Sequence, residues 1–389
     1  MRALCWEGVG KLAVRDVPEP QIRAEGDIIV RVRASSVCGS DLHLINGYLP
    51  AMREGDILGH EFMGEVVETG PGVRRHRVGD RVVVGSVVAC GGCWYCRTEQ
   101  YSLCGNSNPQ PVSTEKLWGH SPAGILGYSH AAGGYSGSHA EYIRVPFGDI
   151  GAFAVPDGVP DDSVVFASDA MPTGWMAADF CGLTGGEVVA VWGAGGVGQM
   201  AARSAQLLGA ERVIMIDRFP DRLRTATERI GVETINYADT DVLEALRELT
   251  AGRGPDACIE AVGMESHDVG PTYAYDRVKQ AARLQTDRPT SVRQAIMACR
   301  KGGTVSIVGV YAGLVDKFPL GAAMNKALVL RMGQMHAQRY IPMLLDRLAA
   351  GEIDPGYLAT HPLSLEQGAQ GYELFEKKED GCLRSVLHP

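Results

Sequence analysis

The amino-acid sequence predicts an α/β protein of two domains, one mainly β and one built on a doubly wound parallel sheet. A chain of 389 residues is too long for one ordinary hydrophobic core. Its first half holds short apolar runs separated by glycine and proline, a pattern typical of a compact barrel-like β domain. From about residue 187, β-branched runs alternate with helical stretches, which indicates a parallel sheet covered on both faces.

Individual elements follow from the same patterns. In the β half we expect strands at 28–34, 62–68 and 81–84. In the α/β half we expect strands at 188–192, 213–217, 257–261 and 304–308, with a helix through 200–208. The last 60 or so residues combine helix with a short strand at 383–387, and we expect them to return to the first domain.

Composition excludes several classes of function. The chain has 37 Lys and Arg against 46 Asp and Glu, a net charge of −9, and no basic block, so nucleic acid is not an expected partner. No apolar run approaches the ~20 residues of a membrane helix, and no membrane partner is expected. The N-terminus shows no apolar signal segment and the cysteines are scattered apart from one group, which predicts a cytoplasmic protein.

That group comprises four cysteines within fifteen residues, in the pattern C-x2-C-x2-C-x7-C. They are Cys90, Cys93, Cys96 and Cys104. Four thiolates this close usually build a closed tetrahedral zinc site, which stabilises a lobe and catalyses nothing. Disulfides and an iron–sulfur cluster are the alternatives. We favour zinc because no signal segment is present and because glycine, not proline, follows the last cysteine.

A glycine-rich loop at 193–198 separates the first predicted strand of the α/β half from its helix. G-x-G-x-x-G in this position is typical of Rossmann-type dinucleotide binding, because backbone N–H groups can approach a pyrophosphate there. The cofactor-binding candidates are Gly193, Gly195, Gly196, Val197 and Gly198 in the loop, and Val262 after a later strand. Asp217 is expected to bind the adenosine ribose and favour NAD, although the adjacent Arg218 leaves NADP open.

A second, open metal site is predicted from Cys38 and His60, which stand at the end of one predicted strand and the start of the next. A thiolate and an imidazole from separate loops suit zinc, which then needs a third protein ligand. The G-H-E-x2-G-x5-G-x2-V stretch from Gly59 resembles the zinc signature of the zinc-containing alcohol dehydrogenases in the medium-chain dehydrogenase/reductase superfamily. The chain resembles that family over essentially its whole length.

The resemblance implies a GroES-like catalytic domain at 1–170, an NAD-binding Rossmann domain at 171–330 and a C-terminal return at 331–389. It implies two zinc ions per chain, one catalytic and one structural, together with NAD. A homodimer or homotetramer is expected on the same basis.

Residue roles also come from the resemblance. Cys38 and His60 are implied as catalytic zinc ligands, and Ser40 and His43 as a proton relay. Glu61 is either a supporting residue or a transient ligand. Thr173 is expected near the nicotinamide, Arg222 at a cofactor ribose and Arg384 at the pyrophosphate. The other histidines, His139 among them, lack ligand spacing and are expected to be surface or packing residues.

The third zinc ligand departs from the commonest pattern of the family. Many relatives have a cysteine there, whereas this chain reads S-D-x-x-P-T-G at 168–174. That stretch, with a polar insertion at about 264–293, resembles the branch containing glutathione-independent formaldehyde dehydrogenase, in which the aspartate binds zinc. Asp169 is therefore the expected third ligand. Because oxygen donates less charge than sulfur, the metal should be a stronger Lewis acid.

The predicted function is a zinc-dependent, NAD-linked dehydrogenase that interconverts small alcohols and aldehydes, with formaldehyde hydrate as one candidate substrate. Three alternatives stay open. The substrate is a polyol or amino alcohol, as in sorbitol- or threonine-type relatives. The reaction is aldehyde dismutation with tightly bound NAD. The chain is a nucleotide-sensing or structural protein that has kept the fold without enzymatic activity.

Overall fold

The computed structural model describes residues 1–264, 266–267, 287–313 and 315–389. Most of the predicted polar insertion at 264–293 lies outside the described residues. The chain forms two compact units, one made of Met1–Pro172 with Met335–Pro389 and the other of Thr173–Gln334. The C-terminal segment thus belongs to the same unit as the N-terminal half.

Elements are numbered along the described part of the chain. The strands are β1 (Arg2–Trp6), β2 (Leu12–Asp16), β3 (Ile28–Ser36), β4 (Glu61–Thr69), β5 (Arg81–Val84), β6 (Val87–Val88), β7 (Gly124–Ile125), β8 (Tyr142–Val145), β9 (Ala152–Ala154), β10 (Val188–Trp192), β11 (Arg212–Asp217), β12 (Glu233–Asn236), β13 (Ala257–Glu260), β14 (Thr304–Ile307), β15 (Val329–Met332), β16 (Ala359–Ser364) and β17 (Arg384–His388).

The α-helices are α1 (Gly39–Ile45), α2 (Trp94–Arg97), α3 (Pro111–Trp118), α4 (Gly148–Gly151), α5 (Asp161–Val164), α6 (Ala170–Asp179), α7 (Gly196–Leu207), α8 (Pro220–Ile230), α9 (Val242–Leu249), α10 (Thr290–Ala298), α11 (Leu320–Asn325), α12 (Ala337–Ala349) and α13 (Gly368–Lys377). Short 3-10 turns lie at Tyr101–Leu103, His130–Ala132, Val165–Ser168, Gly356–Leu358 and Leu365–Gln367. None of the helices in the described ranges combines the length and the hydropathy of a membrane span.

A mainly antiparallel sheet organises the first unit, with strand order β16-β17-β3-β4-β5-β9 and β8 paired to β3. β3 and β4 form the central pair, whose register shifts twice along its length. Their inward side chains, such as Val30, Val32, Phe62 and Val66, lie in one core with Val82 and Val84 of β5. Because Ser36 at the end of β3 pairs with Glu61 at the start of β4, the loops at this end of the sheet lie side by side.

The second unit contains a six-stranded parallel sheet in the order β12-β11-β10-β13-β14-β15. Successive residues of β10 alternate between two cores, with Val189 and Val191 on one face and Val188, Ala190 and Trp192 on the other. Burial on both faces explains the continuous apolar run of this strand. Chain order reverses between β10 and β13, which is the switch point of a doubly wound sheet. The predicted fold class is confirmed.

Candidate active site

Cys38, His60 and Glu61 meet where β3 ends and β4 begins. Cys38 lies between β3 and α1, His60 immediately precedes β4, and Glu61 is the first residue of β4. Their ligand atoms all lie within 4.8 Å of one another, and the residues are 7%, 3% and 0% exposed. The pairing of β3 with β4 explains why these residues lie close together, since it brings the Cys38 loop beside the start of β4.

This trio fits a zinc ion. A thiolate, an imidazole and a carboxylate are the donors that zinc takes in catalytic sites, which keep a fourth position open. Within the described residues, the buried Oε2 atom of Glu61 has no hydrogen-bond donor. An uncompensated carboxylate oxygen is costly in a protein interior, so a cation in the trio would satisfy it.

Arg384 supplies a fixed positive charge beside the trio. Its Nη2 lies 3.3 Å from Glu61 Oε1, and its Nη1 donates a hydrogen bond to the Val37 carbonyl at 2.6 Å. Burial opposes ionisation of the Cys38 thiol, but the charges of Arg384 and His60 outweigh it and lower the pKa of Cys38 to about 6. For Glu61 burial outweighs Arg384, so the pKa of this carboxyl lies well above its usual range. The site thus favours the thiolate that a metal requires.

Asp41 connects the trio to helix α1. Its Oδ2 accepts the backbone N–H of Cys38 at 2.9 Å, which fixes the start of the helix and the position of the thiol. Its Oδ1 lies 3.0 Å from His60 Nδ1, and both side chains are at most 4% exposed. A carboxylate at Nδ1 leaves Nε2 free for a metal and sets the orientation of the ring.

Asp169, the expected third ligand, is held by a serine. Ser86 Oγ donates a hydrogen bond of 2.6 Å to Asp169 Oδ2. The charge of Asp169 acts on Cys38, Glu61 and Arg384, so the carboxylate lies in their neighbourhood. In the described residues, however, the ligand atoms that gather around Cys38 and His60 include those of Glu61 and not those of Asp169. Ligation by Asp169 stays a prediction.

Ser40 and His43, the two residues predicted to form the proton relay, lie on α1. Ser40 Oγ lies 3.5 Å from Cys38 Sγ and 3.4 Å from His60 Nε2. His43 is 5% exposed and follows three residues later on the same helix, which places it on the same side as Ser40. The ring of Tyr128 packs edge-on against His60 with centroids 6.0 Å apart, and so forms one wall beside the imidazole.

The four cysteines form a separate cluster. Sγ–Sγ separations within the cluster are 3.5 Å (Cys93–Cys96), 3.9 Å (Cys93–Cys104) and 4.0 Å (Cys90–Cys96). Tetrahedral bonds of about 2.3 Å would place sulfurs ~3.8 Å apart. All four are free thiols in the structure, and backbone N–H groups of Gly92 and Cys93 point to Cys90 Sγ at 3.4 and 3.3 Å. The arrangement fits a structural zinc.

The cofactor loop lies between β10 and α7 of the second unit. Gly198 is required there, because a Cβ atom would lie 1.7 Å from the Gly193 carbonyl oxygen. Asp217 ends β11, and its Oδ2 accepts the Ala194 N–H at 2.7 Å. This bond sets the carboxylate beside the loop, where a ribose would lie.

The remaining predicted cofactor residues have distinct settings. Arg222 Nη1 lies 3.6 Å from the point where Gly195 would carry a Cβ, so its guanidinium lies over the loop. Val262 is 37% exposed with its Cγ2 near Gly193, and Thr173 is 9% exposed. Arg384 is 2% exposed and is engaged with Glu61 and Val37, as described above. Its predicted contact with pyrophosphate stays a prediction.

Sequence reasoning missed three residues of the site. Asp41 carries a weak signal, since it stands three residues after Cys38 in a capping position. Ser86 and Tyr372 carry none, because each reaches the site only through tertiary contacts.

Comparison with known proteins agrees with this geometry. The family model "Alcohol dehydrogenase GroES-like domain" matches residues 24–157, and the model "Zinc-binding dehydrogenase" matches 196–271. The zinc-type alcohol dehydrogenase-like protein AdhB of Bacillus subtilis, itself uncharacterised, is 38% identical over 100% of both chains. The glutathione-independent formaldehyde dehydrogenase of Bacillus subtilis is 32% identical over 97% of this chain and 94% of its own length.

The solved structure of alcohol dehydrogenase TADH from Thermus sp. ATN1 has a TM-score of 0.84 and 35% identity, over 100% of this chain and 99% of that one. The cysteine cluster and the Cys38–His60–Glu61 trio support two zinc sites. Full-length similarity to zinc-type dehydrogenases, among them an NAD-dependent alcohol dehydrogenase of solved structure (25% identity, TM-score 0.79), supports a nicotinamide cofactor. The chain belongs to the zinc-containing alcohol dehydrogenase family of medium-chain dehydrogenases and is an oxidoreductase.

Proposed function

We propose that the chain is an NAD-linked dehydrogenase that oxidises small primary alcohols or aldehyde hydrates, with hydrated formaldehyde as the leading candidate. The observation that carries the proposal is the Ser40 hydroxyl, which lies 3.4–3.5 Å from both Cys38 Sγ and His60 Nε2. A hydroxyl beside two ligand atoms can receive the proton of a substrate held at the same metal. Similarity to a glutathione-independent formaldehyde dehydrogenase supports the choice of substrate.

Zinc, when bound, lowers the pKa of a substrate hydroxyl. Ser40 accepts the released proton at Oγ and passes its own onward, and His43 on the same helix takes it to solvent. An imidazole suits this step because one ring nitrogen can accept a proton while the other donates one. Tyr128 restricts the space beside His60, which favours a small substrate.

Two carboxylates compete for the third ligand position. Glu61 lies with Cys38 and His60 in the structure, while Asp169 is held by Ser86 at 2.6 Å. We propose that Asp169 ligates the metal and that Glu61, held by Arg384, supports it. Zinc analysis of Asp169→Asn and Glu61→Gln tests the assignment, because only loss of the true ligand should lower zinc from two ions per chain to one.

In the second unit, Asp217 would bind the adenosine ribose and Arg222 would lie over the pyrophosphate loop. Val262 and Thr173 would contact the nicotinamide end. NAD is then preferred to NADP, since a 2′-phosphate would meet the Asp217 carboxylate. We also propose a homodimer or homotetramer, which sedimentation can test.

The test is initial-rate NADH formation with formaldehyde, short primary alcohols, sorbitol and threonine. The proposal predicts the highest kcat/KM for formaldehyde or a short alcohol. A higher value for sorbitol or threonine would instead place the enzyme with polyol or amino-alcohol dehydrogenases. Formic acid and methanol appearing together from formaldehyde without added NAD would indicate dismutation.

Ser40→Ala tests the proton step with a matched control. Loss of the hydroxyl should lower kcat by about 100-fold, with zinc content unchanged. Ser36→Ala removes another buried hydroxyl nearby, whose bond is to the Val37 carbonyl at 3.3 Å, and should leave kcat near that of the wild type. Equal losses in both variants would contradict the role of Ser40.

A further inference from the structure

A chain of buried side chains runs from His60 into the interior of the first unit. Beyond Asp41, the hydroxyl of Tyr372 donates to Asp41 Oδ2 at 3.0 Å. His139 Nε2 lies 2.8 Å from the Tyr372 oxygen, and its Nδ1 lies 2.8 Å from Ser35 Oγ. Ser35 Oγ in turn lies 2.8 Å from Ser138 Oγ.

The donors and acceptors of this hydrogen-bonded series can be assigned in one way only. Because the Tyr372 hydroxyl donates its proton to the Asp41 carboxylate, its oxygen must accept from His139 Nε2–H. His139 Nδ1 is then the acceptor for the Ser35 hydroxyl. Burial lowers the pKa of His139 to about 4, so the ring is neutral at neutral pH, as this arrangement requires. Every donor points toward Asp41.

The side chains of this hydrogen-bonded series come from distant parts of the sequence. Ser35 lies in β3, Asp41 in α1, Ser138 and His139 in the loop before β8, and Tyr372 in α13. Each of them is at most 4% exposed. Burying a polar side chain costs free energy unless it forms hydrogen bonds. The hydrogen bonds among these five side chains offset that desolvation cost.

The same histidine contacts the backbone next to the metal ligand. Gly59, which precedes His60, has a φ of +94°, and a Cβ atom there would lie 2.5 Å from His139 Nδ1. The imidazole of His139 therefore packs against Gly59, the residue that leads into His60. The ligand is confined from two sides, by Asp41 at its ring and by His139 at its backbone.

We propose that Tyr372 and His139 are positioning residues for the catalytic metal site, acting through Asp41 on His60. Without the Tyr372 hydroxyl, Asp41 Oδ2 keeps, among the described residues, only the Cys38 N–H as a donor, and His139 Nε2–H loses its acceptor. The carboxylate could then rotate, and the imidazole would lose its fixed orientation. The proposal concerns retention of zinc and holds whichever substrate the enzyme takes.

Zinc transfer to a chromogenic chelator tests the proposal. Zinc release from the fully loaded wild type is compared with release from His60→Ala. The kinetic phase that is present in the wild type and missing in His60→Ala reports release of the catalytic ion. Tyr372→Phe should release this ion roughly ten times faster, since outer hydrogen-bond partners of ligands typically change metal affinity by about 10–100-fold. Release of the ion held by the four cysteines should not change.

Tyr135→Phe is the matched control, because it also removes a tyrosine hydroxyl that donates a hydrogen bond within the first unit, here from a partly buried side chain to the Ser107 carbonyl at 2.6 Å. It should leave release of the catalytic ion unchanged. Equal release rates in wild type and Tyr372→Phe would overturn the proposal, as would equal acceleration in both tyrosine variants.

Two further measurements separate positioning from general loosening of the fold. In an Asp41→Asn background, Tyr372→Phe should add less than a two-fold change, because the path through Asp41 is already broken. A full ten-fold addition there would contradict the path. The cobalt-substituted enzyme should show shifted visible bands for Tyr372→Phe and not for Tyr135→Phe.

His139 provides a test that does not depend on Tyr372→Phe folding. His139→Leu removes the donor to Tyr372 and should accelerate release several-fold, whereas His139→Gln, whose amide N–H can replace Nε2–H, should restore slow release. Identical release rates in the two variants, fast or slow, would show that the hydrogen bond to Tyr372 is not what holds the site.

Discussion

Replacing Arg384 with methionine should destabilise the first unit substantially, because it leaves Glu61 without its buried counter-charge. The guanidinium lies 3.3 Å from Glu61 Oε1, and the two side chains are 3% and 0% exposed. At this distance a pair of unit charges interacts with about 5 kcal/mol at an effective dielectric constant near 20. Breaking a buried pair on one side typically costs about 3–5 kcal/mol. Because burial raises the pKa of Glu61, this carboxyl can take up a proton once Arg384 is removed, so we expect a loss at the lower end of that range, about 3 kcal/mol, from Arg384→Met.

The double variant Arg384→Met/Glu61→Gln should recover at least half of the loss, because no unpaired buried charge remains. Arg31→Met is the control, since Arg31 pairs with Glu65 at 2.8 Å but is 48% exposed, and such a pair is worth less than about 1 kcal/mol. Urea unfolding at fixed zinc concentration measures all three variants. The reasoning is wrong if Arg384→Met stays within about 1 kcal/mol of wild type, or if the double variant is no more stable than the single one.

Three more predictions concern other parts of the chain. Cys96→Ser should lower bound zinc from two ions to one and lower the thermal midpoint, measured by metal analysis and calorimetry; retention of two ions would contradict a four-cysteine site. Asp217→Ser should shift the ratio of kcat/KM for NAD over NADP by at least about ten-fold toward NADP, and an unchanged ratio would remove Asp217 from cofactor selection. Burial lowers the pKa of His139 to about 4, against about 6.5 when unfolded, so the unfolded chain binds the extra proton and stability falls as pH falls through this window. Between about pH 7.5 and 5.5 the loss should be about 1.3 kcal/mol, and His139→Gln should lose correspondingly less stability over that range.

Much of the fold could be predicted from local pattern. The strand at Val188–Trp192 is a continuous apolar run because both of its faces are buried, and such a run followed by a glycine loop indicates a parallel sheet. The four cysteines are equally readable, since their spacing alone brings the sulfurs together. In these segments, neighbours in sequence are also neighbours in space.

The interior of the active site could be predicted only in part. Cys38 and His60 belong to recognisable motifs, whereas Tyr372 bonds to Asp41 across 331 positions of sequence. A tyrosine in an amphipathic helix gives no sign that its hydroxyl will meet a carboxylate. His139 was expected to be a surface or packing residue, and the structure places it at 0% exposure with both ring nitrogens engaged.

The third zinc ligand shows the same limit. The motif around Asp169 resembles a branch that ligates through aspartate, but the structure groups Glu61 with the other two ligands and bonds Asp169 to Ser86. Which of the two carboxylates would reach the metal depends on how their side chains are rotated. Sequence pattern does not encode such rotations.

Zinc content measured together with NADH formation, for wild type and for His60→Ala, tests the central claim most directly. If Cys38, His60 and a carboxylate hold the catalytic ion, wild type binds two zinc ions per chain and forms NADH with a small alcohol or aldehyde hydrate. His60→Ala should then keep one ion, in the four-cysteine cluster, and form no NADH. Two ions and undiminished NADH formation in His60→Ala would contradict the account.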